Sequence, residues 1–143
     1  MVGKRTVKPW CRIIGDLLNR PYKLGEVDCF RSILEYVESL GVYVPQSFEG
    51  QTLETYPDYF RDEPEAAKQT AVRLFNALLI PVDPKLTLPG DVMLLQYKDN
   101  PPFLAINGGN GTVVTASKEC GFRSYSGSRF QRLKGWSCQQ LFR

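Results

Sequence analysis

The chain has 143 residues, 43% of them apolar and 12% aromatic, enough for one domain with a single core. Its net charge of +3, with no basic run interleaved with aromatics, gives no ground for a nucleic-acid partner, and no stretch approaches the ~20 apolar residues of a membrane span. There is no histidine, so the commonest general base and the commonest metal ligand are both missing.

Residues 1–8 are polar and basic and read as a loose arm with no apolar stretch of the secretory kind. The expectation is a protein that stays in its producer's cytoplasm, or leaves by lysis or in a particle. Pro9 suits the first turn of a helix whose buried face is Trp10, Ile13, Ile14, Leu17 and Leu18. Asn19-Arg20-Pro21 ends it.

Residues 21–41 organise the rest. They read as a short extended segment, a glycine turn and an amphipathic helix with Cys29 in its first turn. Phe30, Ile33, Leu34, Val37 and Leu40 keep the spacing of one helical face. Asp28 is suited to cap the helix, because its carboxylate can accept free backbone N–H groups. Gly41 is suited to end it. A cysteine at a helix N-terminus sits at the positive end of the dipole, which favours thiolate. An unpaired cysteine is usually a small buried hydrophobe.

Residues 42–45 look extended, and residues 46–62 read as an irregular connection with one helical turn. The aromatics Tyr56, Tyr59 and Phe60 in it are either a contact surface or packing. Asp62-Glu63-Pro64 starts a third helix, with Ala67, Ala71, Leu74, Phe75 and Leu78 on its buried side. After residue 79 the pattern changes. Residues 83–91 are a turn-rich approach, residues 92–97 an apolar run of strand length, and residues 103–107 and 112–116 two strands around the tight loop Gly108-Gly109-Asn110-Gly111. Residues 122–125 and 129–136 add two more. Helices first and an antiparallel sheet second indicate an α+β fold in a single domain over residues 1–143.

The four cysteines, Cys11, Cys29, Cys120 and Cys138, form no close pair, so free thiols are expected rather than disulfides or a zinc site. Nothing in the chain calls for a metal or cofactor. The glycine-rich loop joins two strands and does not precede a helix, which argues for a hairpin over a phosphate loop. Arg123, Arg129, Arg132, Lys134 and Arg143 either face a partner or cover a solvated strand face.

The order Pro21-Tyr22, Gly25, Asp28-Cys29, then residues 41–45, then Leu88-Pro89-Gly90-Asp91-Val92, then residues 103–111, resembles the NlpC family of cell-wall cysteine endopeptidases within the papain-like group. The resemblance covers about residues 9–136. It looks most like the branch found in tail-tip assembly proteins of long-tailed phages. It implies a papain-like arrangement of N-terminal helices on an antiparallel sheet, with Cys29 as the nucleophile's position and Tyr22 and Asp28 in the cleft. In the family a histidine opens the hairpin motif and activates the cysteine. Aligned on Gly109-Asn110-Gly111, that position is Phe103, and the third, polar member of the site falls on Thr115. The resemblance therefore implies a catalytically degenerate domain. Its expected role is structural or in assembly, in a phage tail tip. The implied partners are other tail proteins, with peptidoglycan as a further one, and the implied place is the virion or the host cytoplasm before assembly. The alternative is an active peptidase in which Cys29 uses a non-histidine or borrowed base.

Overall fold

The computed structural model describes residues 9–18, 28–117 and 121–142. Four helices, α1 (Pro9–Leu17), α2 (Cys29–Ser39), α3 (Tyr56–Asp62) and α4 (Pro64–Leu78), precede most of the sheet. A two-residue hairpin, β1 (Ser47–Phe48) with β2 (Gln51–Thr52), lies between α2 and α3. The main sheet comprises β3 (Ile80–Val82), β4 (Val92–Gln96), β5 (Phe103–Gly109), β6 (Thr112–Ser117), β7 (Gly121–Ser126) and β8 (Gln131–Ser137). Its spatial order is β3-β8-β4-β5-β6-β7, and every pairing is antiparallel. The fold is mixed α+β, and no described helix is long and apolar enough to cross a membrane.

Strand alternation divides the sheet into two unlike faces. On one, Val92, Leu94, Leu104, Ile106, Val114, Ala116 and Trp136 meet Trp10 and Ile14 of α1, Ile33, Leu34, Tyr36 and Val37 of α2, and Leu74 and Phe75 of α4. This is the main core. Each such side chain fully buried contributes ~1.5–3 kcal/mol against exposure. On the other face Met93, Leu95, Ala105 and Val113 form a smaller cluster, covered by Phe103, Tyr125 and Phe130.

The segment entering β4 ties the layers together. Gly90 takes φ +94°, a left-handed conformation that side chains rarely adopt. There its carbonyl accepts a buried hydrogen bond of 2.6 Å from the Tyr36 hydroxyl of α2. Burial pushes the Tyr36 phenol pKa upward, with the nearby Cys138 and Asp91 adding to the shift. Asp91 is almost wholly buried. Its carboxylate accepts from Leu88 N, Cys138 N and Gln139 Nε2, each at 2.8 Å. The Pro-Gly-Asp motif thus joins the helical layer to the chain leaving β8.

Residues 46–62 are more ordered than their composition suggests: instead of an irregular link with one helical turn, they hold the β1–β2 hairpin and the seven-residue α3. Strands of two residues carry too few positions for a period to show. The loop expected at residues 108–111 is also tighter. β5 continues to Gly109, and Asn110 (φ 53°) with Gly111 (φ 75°) makes a two-residue turn. β3 was not expected; it is three residues long, and Pro81 is tolerated because the strand lies at the sheet's edge.

Tyr36→Phe leaves the Gly90 carbonyl buried without its donor and should lower unfolding free energy by ~1–3 kcal/mol. Gly90→Ala should cost a similar ~1–3 kcal/mol, since a Cβ there would lie 2.7 Å from the Phe142 ring in a strained backbone. Urea melts of the two variants check both; losses below ~0.5 kcal/mol would contradict this account of the joint.

Candidate functional site

Cys29 is the first residue of α2, and Asp28 is the cap. Asp28 Oδ1 accepts from Arg31 N at 2.7 Å, and Asp28 Oδ2 accepts from the Tyr56 hydroxyl at 2.7 Å. The carboxylate is therefore engaged on both oxygens while only 4% exposed. Tyr56 reaches it from α3, and its phenol pKa is raised by burial first and by this hydrogen bond second.

Tyr56, with its ring against Phe30 at 4.7 Å, sits in a tilted aromatic cluster with Phe60, 5.2 Å from Phe30 and 5.9 Å from Tyr56. Tyr56 and Phe60 thus pack inward, while the Tyr59 hydroxyl meets Thr70 Oγ1 of α4 at 3.0 Å. The cluster borders a cavity of about 50 Å³ between α2, α3, α4 and the β1–β2 hairpin, room for one or two waters.

Cys29 as a whole is half-buried, yet the protein around its sulfur desolvates it. That desolvation is the largest influence on the thiol and pushes its pKa up to about 11, against an ordinary 9.0. The adjacent Asp28 charge pushes the same way. Hydrogen bonding from the Leu104 backbone on β5, and from the first turn of α2, pulls the other way without prevailing. The helix N-terminus does favour thiolate, as its position implies, but burial outweighs it. At pH 7 burial therefore favours the protonated thiol.

The expected partners of Cys29 on the sheet are not where the motif alignment puts them. Phe103 belongs to the face away from α2, its ring 5.2 Å from Phe130 and nearly perpendicular to it. Thr115 lies between Val114 and Ala116, which face the helices, and so points away from them with Val113. Its hydroxyl donates to Leu104 O at 2.6 Å. The residues that β5 and β6 turn toward α2 are Leu104, Ile106, Val114 and Ala116, all apolar. A one-residue change of frame on a strand exchanges its two faces. The correction is therefore one of placement: Phe103 is turned away from α2, the backbone of Leu104 is what hydrogen-bonds the Cys29 sulfur, and Thr115 is a strand-to-strand hydrogen-bond donor. Tyr22 lies outside the described residues.

Asp28 raises the pKa of the Cys29 thiol through its charge, and the Tyr56 phenol that binds Asp28 is also close enough to be affected by Cys29. Both oxygens of Asp28 are already accepting, so it is poorly disposed to take a proton from sulfur or to pass one to a leaving amine. Cys138 is likewise buried, its pKa pushed to about 12 by desolvation and by Asp91. Cys11 is exposed, and Cys11, Cys29 and Cys138 are free thiols. Among the described residues no cluster of three or more His, Cys, Asp or Glu is gathered for a metal. The sequence signal that was missed is Tyr56, which nothing in its neighbourhood marks as the partner of a residue 28 positions earlier.

Neither a scan against models of known protein families nor a comparison with curated proteins finds a match.

Two outcomes follow from this geometry. Tyr56→Phe removes a buried hydrogen bond to a carboxylate and should destabilise the chain by ~1.5–3 kcal/mol, read from thermal or urea unfolding. The raised thiol pKa values make the fold sensitive to alkali. Above pH 9 the folded chain retains protons at Cys29 and Cys138 that the unfolded chain releases. Stability is therefore full below about pH 9 and falls as pH rises toward 11 and 12, and Cys29→Ala should flatten part of that fall. A stability profile that rises or stays level across this interval would contradict the burial of these thiols.

Proposed function

We propose that this chain is a catalytically silent, NlpC-like domain that serves as a structural or assembly component of a larger particle, of the phage tail-tip type. The observation that supports the reading is the setting of Cys29. It keeps a nucleophile's place at a helix N-terminus, but burial pushes its thiol pKa up and its sulfur lies against the Leu104 backbone, with Asp28 committed to the helix cap and Tyr56. A thiol attacks an amide as thiolate, and the leaving amine needs a proton donor. Positioned acid–base catalysis is typically worth ~10²–10⁴-fold, and an apolar strand face supplies none of it. The chain's partners under this reading are other proteins of the assembly, and peptidoglycan is a surface it meets without cutting. It resides in the virion tail, or in the host cytoplasm before assembly.

The test is direct. Purified protein incubated with peptidoglycan should release no more muropeptide than buffer at neutral pH, and Cys29→Ala should assemble as the parent does. Muropeptide release that Cys29→Ala abolishes would replace this reading with the active cysteine peptidase.

A further inference from the structure

Charge is segregated along this chain. Residues 26–65 carry ten Asp and Glu against two Lys and Arg, whereas residues 101–143 carry one against six. The fold turns this into two exposed patches on opposite sides of the sheet, each combining exposed apolar surface with an excess of one sign of charge.

The first patch lies on the helical side. The outward surface of α2, with Val44 and Leu53 from the segments that follow it, forms a groove lined by Arg31, Leu34, Glu35, Glu38, Ser39, Val44 and Leu53. Leu53 is 41% exposed, and Tyr43, next to Val44, is 80% exposed. Arg31 lies 3.7 Å from Glu35. Glu38 and Glu54 are exposed and have no basic partner among the described residues. The groove is therefore of mixed character: Val44 and Leu53 give it apolar surface, and Glu38, with Glu54 next to Leu53 in the chain, gives it an acidic side.

The second patch lies on the far face. A short 3₁₀ turn, Pro84–Leu86, packs against β8, where Gly135 leaves it room: a Cβ there would meet Pro84 at 3.1 Å and Thr87 at 2.7 Å. The following Thr87 touches Met93 of the far-face cluster through a 3.3 Å contact to its sulfur. Leu86 is left 70% exposed at the tip. Arg132, paired across the strands with the far-face residue Leu95, donates to the Pro84 carbonyl at 3.4 Å. Lys98 lies over the Tyr97 ring, which in turn meets Phe130, the neighbour of Arg129. Neither Arg129 nor Arg132 has an acidic partner among the described residues. This patch is an apolar knob with a basic rim.

We propose that the two patches bind one another between copies of this chain, Leu86 with Arg129 and Arg132 of one copy entering the Leu53–Glu38–Glu54 groove of the next. The occupant is a second copy because the same molecule carries both complements, an exposed leucine tip beside positive charge and a groove with exposed Leu53 beside negative charge. Because the two patches lie on opposite sides of the sheet, the contact is head-to-tail. Such a contact generates a ring if the rotation closes and a filament if it does not. The inference deepens the assembly reading by naming its partner, but it does not depend on whether Cys29 is reactive.

Sedimentation velocity on the full chain tests it. Wild-type protein should self-associate with rising concentration, and should lose that association at ~1 M salt, where the screening length falls to about 3 Å. Arg129→Glu with Arg132→Glu, and separately Glu38→Lys with Glu54→Lys, should each weaken association at least tenfold, because like charges then face one another. An equimolar mixture of the two variants should associate again, since every junction in it can pair opposite charges. That recovery also shows both variants to be folded. A wild-type chain that stays monomeric, association indifferent to salt and to both reversals, or a mixture that fails to recover each overturns the head-to-tail contact. Such a result leaves the silent-site reading standing; muropeptide cleavage would do the reverse.

Discussion

The Asp28 carboxylate accepts two hydrogen bonds of 2.7 Å, one on each oxygen, from the first turn of α2 and from Tyr56 of α3. A buried carboxylate is costly unless its oxygens are satisfied, and these bonds meet that requirement. They also fix the entry of α2, bring α3 against it and hold Cys29 beside β5. The same charge repels a thiolate one residue away. One residue therefore secures the local fold and works against nucleophilic chemistry at Cys29.

The sheet completes this effect through alternation. Residues 103–106 of β5 alternate between the two clusters, Leu104 and Ile106 facing α2, Phe103 and Ala105 facing away. The apolar residues toward α2 bury Ile33, Val37 and Trp136 completely or nearly so. A polar, titratable side chain at Leu104 would have to be desolvated beside that core. Packing and proton transfer are alternatives at this position, and the sequence present serves packing.

The α+β order was legible because its signals are long-period ones. The apolar spacing of α2, the Asp28 cap and the switch to strand-length apolar runs after residue 79 each rest on several residues. The cap needs only local chemistry, and it forms as the residue type suggests. Legibility failed where the signal was short or non-local. Two-residue strands show no period, and the Tyr56–Asp28 bond joins positions with no shared pattern. Phe103 was misplaced for a subtler reason. Aligning a hairpin on its glycines fixes the turn, but Gly108 falls at an irregularity in the β5–β6 register, and one residue of slack reverses which side chains face the helices. Cys29 and Asp28 could be found from sequence. What surrounds them could be found only from the pairing of strands.

The account's central claim is that burial beside β5 holds the Cys29 thiol protonated. The most direct measurement is an NMR titration of the Cys29 side chain with selectively labelled cysteine, read against Cys29→Ala for assignment. The account requires a transition near pH 11, far above the ordinary 9.0 of a free thiol. A transition near or below neutrality, the range of activated cysteines at roughly pKa 3.5–7.5, would contradict it and return the chain to the nucleophiles.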